Sequence, residues 1–294
     1  SCSPVPVAVC CGISDHLAAH LSQHRKEFTD NLQILKLVLE YDVLVVEGVG
    51  LGFQYDPLVH ELAGVGHKLI VTGRRQEPLD ELSKTFPNQI ITAAADTTSK
   101  DDLQRVKSQL DHFGDLDMAI LNAGTCEYLE VAEYNSDVIA NNVTTNVIGT
   151  ARCLDIALPA LRATRAKGKP ATLVIVSSSA WWFPFGRAEG YGASKAALSY
   201  FAQSLRADLA AEGIRVVVVS PGFVKTPLTD RNDFPMPFII SAGDAARRIR
   251  TGLEKGRNEI AFPKRFTWSL KLLAALPRSV IDRMAASMAR KTDH

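Results

Sequence analysis

The chain has 294 residues, 46% hydrophobic and 22% charged, with a formal net charge of +1. That balance excludes a disordered chain, and the near-zero charge gives no sign of a nucleic-acid partner. The five cysteines (Cys2, Cys10, Cys11, Cys126, Cys153) form no spaced framework, no run of eighteen apolar residues occurs, and the first eight residues lack a basic signal-like region, so a cytoplasmic chain with reduced thiols is expected.

Residues 1–41 read as an extension of unknown role. Residues 4–9 suit a short strand, and Leu17, Leu21, Phe28, Leu32, Leu35 and Leu39 recur at roughly helical spacing. His16, His20 and His24 fall four residues apart. Such a face is either solvated or able to share a metal ion, and no metal site is assigned to it.

From residue 42 onward, strand and helix signals alternate. Strands are expected at 43–46, 69–71, 90–93, 118–121, 173–176 and 216–219, and helices at 57–66, 77–85, 99–113, 135–163 and 191–212. Repeated strand–helix units imply an α/β fold with a doubly wound parallel sheet covered on both faces. This part is taken as one domain, 42–263. The remainder, 264–294, is a basic segment; residues 264–291 carry seven Lys/Arg and one acid. Leu273, Leu276, Val280, Met284 and Met288 recur at three- or four-residue spacing, interrupted by Pro277. That pattern fits a helix lying on a membrane surface or one packed on the core with a basic outer face.

In open parallel sheets ligands bind beyond the carboxyl ends of the strands, and the candidate motifs fall at such ends. The first strand runs into Gly48-Val49-Gly50-Leu51-Gly52, where backbone N–H groups can approach a pyrophosphate; a plain glycine-rich turn is the alternative. The second ends in Thr72-Gly73-Arg74-Arg75, where a guanidinium fork can bind a phosphate or simply be exposed. Asp96 follows the third strand, and Asn122-Ala123-Gly124 the fourth. Asn146 stands within a helix, where asparagine is mildly unfavourable. Ser178 follows a buried strand, and Tyr191 and Lys195 share one helix face at i and i+4. An ammonium beside a phenol is expected to lower the phenol's pKa and ready it for proton exchange with a carbonyl oxygen. Alone, such a pair is equally a solvated helix pair.

Together, Ser178, Tyr191-x-x-x-Lys195, Asn146, Asn122-Ala123-Gly124 and Pro221-Gly222-x-x-x-Thr226 resemble the signature of the short-chain dehydrogenases/reductases. The resemblance covers 69–227 in order and spacing and does not extend to residues 1–41. It implies a Rossmann-type fold and hydride transfer between a nicotinamide dinucleotide and a carbonyl/alcohol pair. By resemblance, Tyr191 is the acid/base, Lys195 tunes it, Ser178 holds the carbonyl and Asn146 anchors a water. Gly48, Gly50, Gly52, Asp96, Asn122, Ala123, Gly124, Pro221, Gly222 and Thr226, with Tyr191 and Lys195, hold the cofactor. NAD-selective members carry an acid where Gly73 stands; its absence, followed by Arg74, points to NADP. The family assembles as dimers or tetramers, which implies a homo-oligomer.

The glycine loop departs from the family pattern: in one alignment Glu47 replaces a threonine and Gln54 a glycine, and in the other Gly50-Leu51-Gly52 takes the place of the last two glycines and the following helix is longer by about a turn. The changes at Glu47 and Gln54 are expected to weaken cofactor binding, by charge and by crowding. A nucleotide-sensing or scaffold protein on the same fold is therefore an alternative. Two apolar stretches, 181–185 and 234–240, suggest a pocket for a hydrophobic carbonyl or alcohol, or a surface that packs on another subunit. The basic C-terminal segment leaves peripheral membrane contact as a further alternative.

Overall fold

The computed structural model describes residues 42–46, 57–226 and 229–288. Residues 1–41, with His16, His20 and His24, lie outside the described residues, as does the loop carrying Glu47, Gly48, Gly50, Gly52 and Gln54.

Seven parallel strands form one sheet. In chain order they are β1 (Asp42–Val46), β2 (Lys68–Gly73), β3 (Ile90–Ala94), β4 (Met118–Leu121), β5 (Ala171–Val176), β6 (Ile214–Pro221) and an edge strand, Glu259–Phe262. Their spatial order is β3-β2-β1-β4-β5-β6 and then the edge strand. The order reverses between β1 and β4, which pair from Val43↔Met118 to Val46↔Leu121. A crevice opens at such a reversal, and it is where a doubly wound sheet binds its ligand. The fold is therefore the Rossmann-type sheet expected.

The strands read as unbroken apolar runs because both faces are covered. Their residues alternate between two cores. Leu44, Leu121, Leu173, Ile175 and Val216 point into one. Val43, Val45, Ile120, Val174 and Val217 point into the other. Fully burying each such side chain contributes roughly 1.5–3 kcal/mol before the entropy of ordering it.

The first core is closed by α3 (Lys100–Phe113) and by two long helical stretches. The second is closed by α1 (Pro57–Ala63), α2 (Gln76–Thr85) and α7 (Ala242–Glu254). Pro57 stands at the first position of α1, where a missing N–H is harmless. Helix α3 has local start and stop signals: Ser99 Oγ accepts from Asp102 N, and Gly114 closes the helix at φ 104°.

The two long stretches carry the site. One runs as α4 (Ser136–Val143), a π turn (Thr144–Ile148) and α5 (Gly149–Ala166). The sequence pattern predicts one uninterrupted helix there, and the π turn is the departure. The other is α6 (Glu189–Leu209).

Three elements have no counterpart in the sequence reading: α7, the edge strand, and a two-stranded pairing of β7 (Val224–Lys225) with β8 (Ile240–Ser241). With β7 and β8 numbered, the edge strand is β9. The basic C-terminal pattern forms two helices, α8 (Lys264–Ala274) and α9 (Arg278–Met288), with Pro277 between them. Phe266, Leu270 and Ile281 from these helices bury against Trp182 and Phe183 in a third core.

Candidate active site

Four of the expected residues, Asn146, Ser178, Tyr191 and Lys195, converge beyond the ends of β4 and β5. Ser178 follows β5 and caps a short 3-10 turn, its Oγ accepting from Ala180 N at 3.2 Å. Tyr191 and Lys195 lie one turn apart near the start of α6, with Lys195 Nζ 5.8 Å from the Tyr191 ring centre.

Lys195 is held from both ends. Its Nζ donates to Val176 O at 3.1 Å. Its own carbonyl accepts from Ser177 Oγ at 2.8 Å and Ser199 Oγ at 2.9 Å. Ser177 thus ties the end of β5 to α6, a role the sequence did not announce.

Electrostatics differ from the expectation. Burial raises the Tyr191 pKa above the usual phenol range, and the nearby Cys126 raises it further, while a hydrogen bond with Ser178 opposes both. Burial lowers Lys195 to about 8, with Cys126 acting in the opposite sense. The i, i+4 spacing predicts a depressed phenol; the shift is upward instead, because burial penalises the charged phenolate. The phenol is accordingly protonated at neutral pH, and the ammonium titrates close to it.

Asn146 sits in the middle of the π turn, fully buried. Its Oδ1 accepts from Thr125 N at 2.7 Å, and its Nδ2 donates to Thr125 O at 3.0 Å and Ser194 Oγ at 2.8 Å. Ser194 Oγ in turn donates to Tyr191 O at 2.7 Å. Both amide protons are used, so the side chain is a brace between the β4 loop and α6. This answers why an asparagine is tolerated mid-helix: a π turn frees backbone groups and is common at functional sites.

Gly124 shows how tight the junction is. A Cβ there would lie 3.1 Å from Asn146 Oδ1 and 3.2 Å from Lys195 Nζ. Gly222 is similarly constrained, since a Cβ would meet Phe266 Cδ1 at 2.8 Å. Pro221 ends β6, paired with Phe262. Thr226 N donates to Thr229 Oγ1 at 2.9 Å, fixing the turn after β7.

A cleft on the far side of Gly124 is lined by Arg74, Ala95, Asp96, Ala123, Gly124 and Thr125. Arg74 Nη1 lies 4.0 Å from Asp96 Oδ2, and both side chains are exposed. Asp96 Oδ1 accepts from Thr98 N at 2.8 Å and Thr98 Oγ1 at 2.6 Å. Asn122, half-buried, follows the end of β4. A nicotinamide dinucleotide fits these residues: a guanidinium and a carboxylate at one end, a side-chain-free glycine in the middle, and a half-buried phenol beside a buried lysine at the other. The glycines 48, 50 and 52 expected to hold its pyrophosphate lie outside the described residues.

Two residues escaped the sequence reading. Cys126 lies within electrostatic reach of Tyr191 and Lys195 and is hydrogen-bonded to Tyr128; burial pushes its thiol up to about 11. Tyr128 donates its hydroxyl to Asn232 Oδ1 at 2.9 Å, and its ring meets Phe234 edge-on at 5.8 Å. Their position, just after Asn122-Ala123-Gly124 at the sheet's crossover, is the signal that would have found them.

The aromatic run after Ser178 does not line a pocket as a block. Trp182 and Phe183 are buried in the third core, under α8. Phe223 links that core to the segment between β7 and β8, with Phe234 at 6.1 Å and Phe266 at 5.4 Å between ring centres.

A model of the short chain dehydrogenase family matches residues 43–234. An uncharacterised oxidoreductase of Myxococcus xanthus is 32% identical over 76% of this chain and 88% of its own. The 11-beta-hydroxysteroid dehydrogenase 1A of Arabidopsis thaliana is also 32% identical, over 71% of this chain and 60% of its own. In fold, the chain is similar to a short chain dehydrogenase from Burkholderia cenocepacia in complex with NADP, with TM-score 0.71 and 23% identity over 86% of this chain and 99% of that one. A 3-ketoacyl-(acyl-carrier-protein) reductase from Brucella melitensis complexed with NADH gives TM-score 0.68 and 21% identity, over 76% and 97% of the two chains.

Proposed function

The chain belongs to the short-chain dehydrogenase/reductase family and is an oxidoreductase; from that premise we propose that it moves a hydride between NADP(H) and the carbonyl/alcohol pair of a small hydrophobic substrate. The observation that carries the reading is the junction at Gly124, where a missing Cβ leaves Asn146 and Lys195 in close approach beside Tyr191. A scaffold without turnover draws no support from so complete a set.

The bound dinucleotide supplies the hydride on reduction and accepts it on oxidation. Tyr191 donates its phenolic proton to the carbonyl oxygen. Burial holds the phenol in its protonated form, the form a donor to the carbonyl needs. Ser178 donates a second hydrogen bond to the same oxygen. Lys195, titrating near 8, passes a proton towards Tyr191 from water. Asn146 braces the β4 loop against α6 through Thr125 and Ser194 and, as the family resemblance implies, would anchor a water.

Arg74 binds the 2′-phosphate as a fork, since no acid stands at Gly73 to repel it. Asp96, Asn122 and Ala123 hold the adenosine end, and Pro221, Gly222 and Thr226 the nicotinamide end. Cys126, Tyr128, Phe223 and Phe234 supply the apolar wall that a hydrophobic substrate needs. The 11-beta-hydroxysteroid dehydrogenase relatives support a substrate of that character. Ile148 and Tyr200, exposed on the helical stretches that carry Asn146 and Tyr191, suit a homo-oligomer interface; a monomer mass by light scattering would exclude one.

The test is Tyr191→Phe. It removes the proton and leaves the ring, so turnover of hydrophobic ketones should fall roughly 10²–10⁴-fold. NADPH binding, read by fluorescence titration, should stay within about threefold of wild type. Near-normal turnover would remove Tyr191 from the reaction.

A further inference from the structure

Helix α8 is apolar on two opposite faces. Its inner face, Phe266 and Leu270, is buried against Trp182 and Phe183. Its outer face carries Trp268 and Leu272, 63% and 67% exposed, one turn apart, and Leu276 continues the line in the turn to α9. A core-packing helix buries one stripe and shows a polar face to water; here the face turned to water is an aromatic–aliphatic ridge.

The ridge is rimmed by one sign of charge. Residues 264–288 contain Lys264, Arg265, Lys271, Arg278 and Arg283 against a single acid, Asp282. Lys271 is spent on Glu259 at 2.6 Å, and Arg278 makes only a 3.9 Å contact with Asp282. Lys264, Arg265 and Arg283 pair with no carboxylate among the described residues.

We propose that this face docks on an anionic lipid bilayer, with Trp268, Leu272 and Leu276 entering the interface and Lys264, Arg265, Arg278 and Arg283 on the headgroups. A basic rim around a tryptophan–leucine ridge is what an interfacial helix presents to anionic lipid. A second copy of this chain fits the face less well, because a two-fold contact would set the same basic rim against itself. Among the described residues no helix is long and apolar enough to cross a membrane; the contact proposed is with the surface.

Docking there has a consequence for the site. Phe266, on the inner face of the same helix, stacks near Phe223, which reaches Phe234 beside Tyr128. A hydrophobic substrate dissolved in the bilayer would then enter close to the apolar wall. That consequence rests on the substrate reading above; the docking itself does not.

The experiment is co-sedimentation of the full chain with phosphatidylcholine vesicles containing 30% phosphatidylserine, without cofactor or substrate. Its outcome is thereby independent of catalysis. Wild type should bind, and release should grow with added salt. The pair Trp268→Ser/Leu272→Ser and the pair Lys264→Glu/Arg265→Glu should each weaken binding at least tenfold, with circular dichroism and thermal midpoint unchanged. Lipids brominated near the headgroup should quench wild-type fluorescence, and Trp268→Phe should lose most of the quenching. Absence of binding to anionic vesicles overturns the proposal, and so does binding that both variant pairs retain. A shift to smaller assemblies in the Trp268→Ser/Leu272→Ser variant, with no vesicle binding by wild type, would assign the face to a second copy instead.

Discussion

The hydroxyl of Tyr128 donates to Asn232 Oδ1 at 2.9 Å across 104 residues of sequence. It joins the loop after β4 to the segment between β7 and β8. Arg187 reinforces the same junction, with its guanidinium over the Tyr128 ring at 5.4 Å and ion pairs to Glu130 and Asp233. Arg187 holds a left-handed backbone at φ 65°, uncommon for a non-glycine residue, so this latch is over-determined by its surroundings.

Breaking the latch should affect substrate capture more than chemistry. Tyr128→Phe keeps the ring and removes the hydroxyl's hydrogen bonds to Asn232 and Cys126, each worth roughly 0.5–1.5 kcal/mol. KM for a hydrophobic ketone should rise about two- to tenfold with kcat within about twofold. Limited proteolysis between β7 and β8 should also quicken. Equal KM for both proteins would show that the two segments are held independently of Tyr128.

On the proposed NADP reading, cofactor choice hangs on Arg74. Arg74→Ala removes a charge-assisted contact worth roughly 1.5–3 kcal/mol, so NADPH should bind about 10- to 150-fold more weakly. NADH affinity should be nearly unchanged. Isothermal titration with both cofactors reads the difference, and a parallel loss would mean that Arg74 touches no 2′-phosphate.

Gly124 is a packing constraint before it is a binding one. In Gly124→Ala the methyl would meet Asn146 Oδ1 at 3.1 Å and Lys195 Nζ at 3.2 Å. Both atoms are held by other bonds, so relief is limited, and overpacking of this kind costs about 1–3 kcal/mol. Denaturant unfolding should show that loss, alongside reduced turnover. Unchanged stability would show that the junction can yield.

Lys195 sets a pH signature. Its folded pKa, about 8, lies below the ordinary 10.5. Between those values the unfolded chain binds more protons, so this group's contribution to stability rises with pH from about 8 to 10.5. Below 8 its burial penalty is present in full. Tyr191, shifted upward, has the opposite sign above pH 10. In Lys195→Met the rise should vanish, so wild type should gain on the variant between pH 8 and pH 10 in urea melts. Parallel curves would place the lysine's titration elsewhere.

Much of this protein is written locally. The apolar runs of β1 to β6 were legible because a parallel strand covered on both faces needs no polar alternation. The shared helix face of Tyr191 and Lys195, and the place of Ser178 at a strand end, were legible from helix pitch and strand ends, whereas Asn122-Ala123-Gly124 was legible through its resemblance to the family pattern. Other features depend on partners distant in sequence. The π turn at Thr144–Ile148 accompanies Asn146 bonding to Thr125 and Ser194, 21 and 48 residues away. The edge strand β9 is only four residues long, too short to announce itself without β6 beside it. Trp182 and Phe183 read as pocket lining until α8 covers them. The sign of the Tyr191 shift follows the same rule: spacing sets the lysine near the phenol, but how much water the fold leaves around the two decides which effect prevails. Pitch and pleat are properties of a short segment, whereas burial is a property of everything packed around it, and only the tertiary structure contains that.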